Sequence, residues 1–91
     1  MSISTLREVP RPPALEPIAD RIRDLQAEAA DLARDHVDAF VAALQTAARL
    51  GAEIADGGEL YPVGARELGR KRAESLGKDA LTLRAIADRR P

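Results

Sequence analysis

The stretch PIADRIRDLQAEAADLARDHVDAFVAALQTAARLGAEIAD, residues Pro17 to Asp56, decides the fold of this chain. Alanine, leucine, arginine and other strong helix formers dominate it, and Gly51 is its only internal residue that disfavours a helix. At about 1.5 Å per residue this helix would extend roughly 60 Å, which is longer than a compact domain of this size is wide. The sequence therefore predicts a long helix that needs other segments or a partner chain to cover it.

An apolar stripe follows one face of this predicted helix, because apolar residues recur at steps of three and four. Its members are Ile18, Ile22, Leu25, Ala29, Leu32, His36 or Val37, Phe40, Ala43 or Leu44, Ala47, Leu50 and Ile54. Phe40 and Tyr61 are the only aromatic residues of the chain. We expect Phe40 to be the centre of the core, where truncation to alanine would cost about 3 to 5 kcal/mol.

A glycine pair marks the predicted end of this helix. Gly57 and Gly58 follow Asp56, and glycine adopts the left-handed cap conformation without a steric penalty. A second helical segment, about 62–89, begins at Pro62 or Val63, since proline is favoured at a first helical position. Gly77 leaves two arrangements open, one continuous helix or a break at 77–79, because glycine costs about 1 kcal/mol within a helix and also suits a cap.

The remaining segment, residues 1–16, contains Pro10, Pro12 and Pro13 and few large apolar residues. We interpret it as a flexible, proline-rich arm, followed by a single helical domain over residues 17–91. The predicted fold class is all-α. A long helix is followed by one or two shorter helices in an antiparallel helical hairpin, which self-association completes as a bundle.

Small residues indicate where the two predicted helices approach most closely. Near the turn, one set consists of Ala48, Gly51 and Ala55, and the set facing it consists of Ala65, Leu68 and Gly69. Farther from the turn we expect the main core, in which Val37, Phe40, Val41 and Leu44 meet Ala73, Leu76, Ala80 and Leu81.

The first part of the long helix has no predicted partner within the chain, because the second helical segment is shorter. Four large apolar residues are left uncovered there, namely Ile18, Ile22, Leu25 and Leu32. Exposed apolar stripes of this kind mark protein interfaces. We expect a homo-oligomer formed through these four residues, so that changing Ile22 and Leu25 to aspartate would give monomeric or unfolded protein.

Charge is distributed unevenly along the chain. Residues 14–61 carry 10 acidic and 4 basic residues, and residues 62–91 carry 4 acidic and 8 basic ones. We interpret this as an acidic helix beside a basic one, with solvated ion pairs between Glu67 and Lys71 and between Glu74 and Lys78. In the alternative interpretation, a nucleic-acid backbone is bound by Arg66, Arg70, Lys71 and Lys78. The net charge of −1 and the lack of interleaved aromatic residues disfavour that alternative.

Residue types that carry catalysis or bind metals are scarce. The chain has no cysteine, and His36, its only histidine, lacks the preceding glutamate of a bundle metal site. The serines have no neighbouring base, and no glycine-rich phosphate loop occurs. We therefore expect no enzymatic activity, no cofactor and no metal.

The predicted function is that of a small helical protein acting by protein–protein interaction, as an adaptor, inhibitor or regulator. The expected partners are further copies of the chain and an unidentified protein, and the alternative is a nucleic-acid-binding regulator that uses the basic second segment. Since no long apolar run or secretory h-region occurs, we expect a cytoplasmic protein without membrane contact. The arginine-rich, alanine-rich composition favours a bacterial or phage origin.

Overall fold

Two helices joined by a short turn make up the protein in the computed structural model, which describes the backbone of residues 11–89 and the side chains of residues 17–89. Helix α1 spans Arg11–Ala55, a 3₁₀ turn spans Gly58–Leu60, and helix α2 spans Val63–Asp88. The described residues contain no strand, and the two helices contact each other as a hairpin. The predicted all-α helical hairpin is thereby confirmed.

Helix α1 begins at Arg11, six residues before the predicted start at Pro17. Residues 1–10 of the predicted flexible arm lie outside the described residues, whereas residues 11–16 are helical. Pro12 and Pro13 are tolerated there because the N–H groups of a first helical turn have no partner within the helix. Pro17 lies inside the helix, where its missing N–H leaves out one backbone hydrogen bond.

The chain divides into two compact units, Met1–Ala33 and Arg34–Pro91. We call the first the N-terminal unit and the second the hairpin unit. In the N-terminal unit, every described side chain from Asp20 to Ala33 is exposed. The hairpin unit contains the remainder of α1, the turn and all of α2, and the small core lies within it.

The core of the hairpin unit is centred on Val41, which is 0% exposed, with Ala80 at 2% and Ala55 at 9%. The expectation that Phe40 forms this centre is wrong, since its side chain is 56% exposed. Successive residues lie about 100° apart around a helix, so Phe40 and Val41 cannot both face α2. Leu81 was also expected in the core, and it is 70% exposed.

The two helices approach most closely at Gly51 and Gly69. A Cβ atom added to Gly51 would lie 2.7 Å from the carbonyl oxygen of Gly69, and one added to Gly69 would lie 2.6 Å from the carbonyl oxygen of Gly51. Both distances are far shorter than a carbon and an oxygen can adopt, so the two backbones are in direct contact. The predicted meeting of Gly51 with Gly69 is confirmed, whereas Leu68 is exposed beside it.

The turn depends on Gly58, which has a φ of +71°. Helix α1 closes just before it, where the Gly57 N–H donates to the Ile54 carbonyl at 3.1 Å. The Tyr61 ring lies over Gly57, at a place that any larger side chain would occupy. Arg66 Nε then donates to the Tyr61 carbonyl at 3.1 Å, which ties the start of α2 to the turn. The turn predicted at residues 57–61 is therefore present.

Helix α2 is a single helix from Val63 to Asp88, so the break considered at 77–79 does not form. A Cβ atom added to Gly77 would meet no atom within 4 Å. Gly77 therefore makes no close contact and ends no helix, and its flanking helix formers outweigh its unfavourable propensity of about 1 kcal/mol.

We predict that Gly51→Ala destabilises the protein, because the new methyl group would overlap the Gly69 carbonyl and force the helices apart. Overpacking of this kind costs about 1 to 3 kcal/mol, and the better helix propensity of alanine offsets part of it. Urea unfolding should therefore show a net loss of about 1 to 2 kcal/mol.

Gly77→Ala is the matched control, since it makes the same change within a helix where nothing lies within 4 Å. It should raise stability by up to about 1 kcal/mol. Equal effects of the two substitutions would show that Gly51 and Gly69 are not in contact.

Candidate protein interface on the hairpin

Large apolar side chains lie uncovered on one side of the hairpin unit. Phe40, Ala43, Ala47 and Leu50 recur along α1 at steps of three and four, and therefore share a face. Leu68 and Ile86 of α2 are 18 residues apart, which is five whole turns. The large apolar residues on these two faces are each about half exposed. We call the following four residues the apolar side: Phe40, Leu50, Leu68 and Ile86.

A groove of about 280 Å³ opens on the apolar side between α1 and α2. Its lining residues are Phe40, Leu44, Asp79, Thr82, Leu83 and Ile86. Four of the six are large and apolar, and Asp79 is the only charged residue among them. A groove of this size and lining can accept one apolar side chain of a partner, with one carboxylate at its rim.

The opposite side of the hairpin is polar. Arg84 Nη1 donates to Asp38 Oδ1 at 3.2 Å, and this ion pair joins the two helices. Asp38 lies about 200° around α1 from Phe40, and Arg84 lies about 200° around α2 from Ile86. Because both side chains are nearly half exposed, the pair contributes no more than about 1 kcal/mol. The two sides of the hairpin therefore differ sharply in polarity.

The four basic residues predicted to contact nucleic acid do not form one track. Arg66 is half-buried and donates to the turn, and Arg70 lies near it on α2. Lys71 and Lys78 lie on another face, about 100° from Arg70. The structure therefore separates the four residues into two groups.

The expected ion pairs of Lys71 with Glu67 and of Lys78 with Glu74 are not formed. Within residues 17–89, the ion pairs are Arg23 with Asp20, Arg49 with Glu53, and Arg84 with Asp38. Exposed lysine and glutamate side chains gain little from pairing, since ordering two long side chains offsets the attraction. These residues are charged groups on a solvated face.

The interface residues predicted in the N-terminal unit are all exposed. Ile18, Ile22 and Leu25 are each about half exposed, and Leu32 is 63% exposed. Their exposure is what the predicted interface requires, and binding through them stays a prediction.

The described residues contain neither a cluster of metal ligands nor a membrane-spanning helix. Among them, no group of three or more His, Cys, Asp or Glu side chains is placed to hold a metal ion. Neither α1 nor α2, as far as they are described, is long and apolar enough to cross a membrane. Their buried side-chain nitrogen and oxygen atoms all have hydrogen-bond partners. What the hairpin presents is an apolar contact surface.

No protein-family model matches this chain, and no similar protein was found among the curated proteins or among the solved structures.

The groove was not predicted from the sequence. A signal was available in the spacing of Leu68 and Ile86, which places two large side chains on one face of α2, away from Ala80. That spacing predicts a second apolar face beside the one that packs against α1.

We predict that Val41→Ala and Phe40→Ala differ in how they depend on protein concentration. Val41 is buried within one chain, so its truncation should cost about 2 kcal/mol at every concentration. Phe40 is exposed within one chain, so its truncation should matter only where a partner copy covers it. Thermal unfolding at about 1 μM and about 200 μM measures both effects.

The expected result is a constant loss of stability for Val41→Ala and a loss for Phe40→Ala that appears only in the concentrated sample. A large, concentration-independent loss for Phe40→Ala would place this ring in the core of the single chain.

Proposed function

We propose that this protein acts by protein–protein interaction, as a small helical adaptor, inhibitor or regulator without catalytic activity. The observation that supports this proposal is the apolar side, where four large side chains are about half exposed. Two of them, Phe40 and Ile86, also line the groove. Contiguous apolar patches are uncommon on monomeric proteins unless they bind something. Alternating rows of large and small residues on a helix are also typical of surfaces that receive another helix.

The energetics support binding through the apolar side. Full burial of a leucine, isoleucine or phenylalanine side chain contributes about 1.5 to 3 kcal/mol, and each of the four has roughly half of that still available. Phe40 is the natural anchor, because aromatic residues are enriched in the buried centres of protein interfaces. Val41 is the one large side chain that is fully buried among the described residues, so the hairpin would gain more from a partner than a well-filled domain would.

The exposed stripe of the N-terminal unit is proposed as a further protein interface. Ile18, Ile22, Leu25 and Leu32 present apolar side chains on a solvent-exposed helix. We keep the proposal that this stripe binds another copy of the chain.

Nucleic-acid binding is the alternative function, and the arrangement of basic residues lends it little support. Arg66 is engaged by the turn, and Lys71 and Lys78 share their face with Glu67 and Glu74. A gel-shift titration with random duplex DNA near physiological salt tests this alternative directly. Micromolar binding that weakens with added salt, and that is lost in an Arg66→Gln, Arg70→Gln, Lys71→Gln variant, would favour it over protein binding.

Affinity capture with a charged apolar side tests the proposed function. Phe40→Glu combined with Ile86→Glu places two carboxylates on the apolar side. We expect this variant to capture at least about tenfold less of the partner protein than the wild type captures from its native cell. Chemical cross-linking followed by mass spectrometry identifies the captured protein and the contacted residues.

Val63→Glu combined with Leu81→Glu is the matched control, because both residues are large, apolar and exposed, but lie away from the groove. This control should bind as the wild type does. If both variants capture the same proteins in the same amount, the apolar side is not the binding surface.

A further inference from the structure

The apolar side of α2 carries two charged residues of opposite sign in an otherwise uncharged row. Steps of four and three residues, as in a coiled-coil seam, define this row, which consists of Leu68, Arg72, Ser75, Asp79, Thr82 and Ile86. Arg72 and Asp79 are seven residues apart, or about 10.5 Å along the axis, which is too far for them to pair with each other. Neither belongs to an ion pair among the described residues.

The charges of this row are complementary to those of a second copy of the row that runs in the opposite direction. Near the midpoint between Arg72 and Asp79 lies the small residue Ser75, where a second helix can approach closely. If a second α2 lies antiparallel across this point, its Asp79 faces Arg72 and its Arg72 faces Asp79. A two-fold axis would relate the two copies, so that each such contact occurs twice, as in other closed dimers.

We propose that the apolar side binds a second copy of this chain, with the two α2 helices antiparallel and Arg72 of each copy opposite Asp79 of the other. This inference rests on the proposed function, because it names the partner of the same surface. In this arrangement, the exposed Leu68 of one copy enters the groove of the other between Leu83 and Ile86. The two α1 helices also stack antiparallel, which brings Phe40 over the row of Ala47 and Leu50.

Arg72 and Asp79 favour this arrangement over a second way in which two copies could stack through the apolar side. If α1 of one copy lay on α2 of the other, Arg72 would lie near Ala47 and Leu50, and Asp79 would have no basic partner. An ion pair taken out of water adds little net affinity, but a mispaired or unpaired charge at the same place is strongly unfavourable. Arg72 and Asp79 therefore determine orientation and register, while the apolar side chains supply the affinity.

Charge reversal tests the proposal on the full chain by sedimentation equilibrium from about 1 to 300 μM. Arg72→Asp sets two carboxylates against each other at both ends of the seam, and Asp79→Arg does the same with two guanidinium groups. Each single variant should raise the dimer Kd at least about tenfold. An equimolar mixture of the two variants should form a 1:1 heterodimer within about threefold of the wild-type affinity, since every pair is then of opposite sign.

Lys71→Asp is the matched control, because it makes the same reversal one position away, on a face turned about 100° from the seam. Its dimer Kd should stay within about threefold of the wild-type value. Far-ultraviolet circular dichroism shows whether each variant keeps its helices, and the mixture keeps the test decisive even if the single variants are less stable.

A wild type that is monomeric at 300 μM overturns this proposal, and it leaves the proposed function standing if Phe40→Glu, Ile86→Glu still abolishes capture of another protein. A dimer that is insensitive to both reversals is held together elsewhere, such as by Ile22 and Leu25, and also overturns the antiparallel α2 pairing. Failure of the two variants to associate when mixed, while each alone is monomeric, has the same consequence.

Discussion

The contact between the backbones of Gly51 and Gly69 determines how the rest of the hairpin is arranged. With the carbonyl oxygen of each glycine lying where a Cβ atom of the other would be, the two backbones pack directly against each other. Val41, Ala55 and Ala80 lie on the faces where the helices meet and are buried. Phe40, one position from Val41, is turned aside, and so are Leu68 and Ile86 on α2. A close approach of this kind excludes larger side chains from the place where Gly51 and Gly69 meet.

That exclusion links the composition of the chain to its proposed function. The chain contains 18 alanines and two aromatic residues, so many of the side chains between the helices are small and the core buries little apolar area. Four larger side chains lie instead on the apolar side of the hairpin, and two of them, Phe40 and Ile86, line the groove between α1 and α2. In the proposed function, a partner that covers the apolar side would also stabilise the fold, because it binds only the folded chain.

The sequence predicts the elements of this fold better than their rotation. Helix formers, the Gly57 and Gly58 stop and Pro62 are local signals, and the hairpin and its turn follow from them. Steps of three and four residues, however, fit Phe40 as well as Val41, because an alanine-rich helix has two usable apolar faces about 100° apart. The spacing alone does not decide between them, and the structure turns Val41 rather than Phe40 toward α2. The groove was not predicted because Asp79 and Thr82 interrupt the apolar pattern of α2. The continuity of α2 at Gly77 was left open because it depends on the helix propensity of the neighbouring residues.

Thiol labelling tests the central claim most directly, because it measures the exposure of single positions and the chain has no cysteine of its own. Phe40→Cys, Val41→Cys and Leu81→Cys each provide one thiol, and the rate of labelling is measured in dilute and in concentrated samples. We predict that the thiol at position 41 is protected at every concentration and that the thiol at position 81 is always reactive. The thiol at position 40 should react in dilute solution and become protected as the protein concentration rises. Equal labelling at positions 40 and 81 in the concentrated sample would contradict the claim that a second copy covers the apolar side.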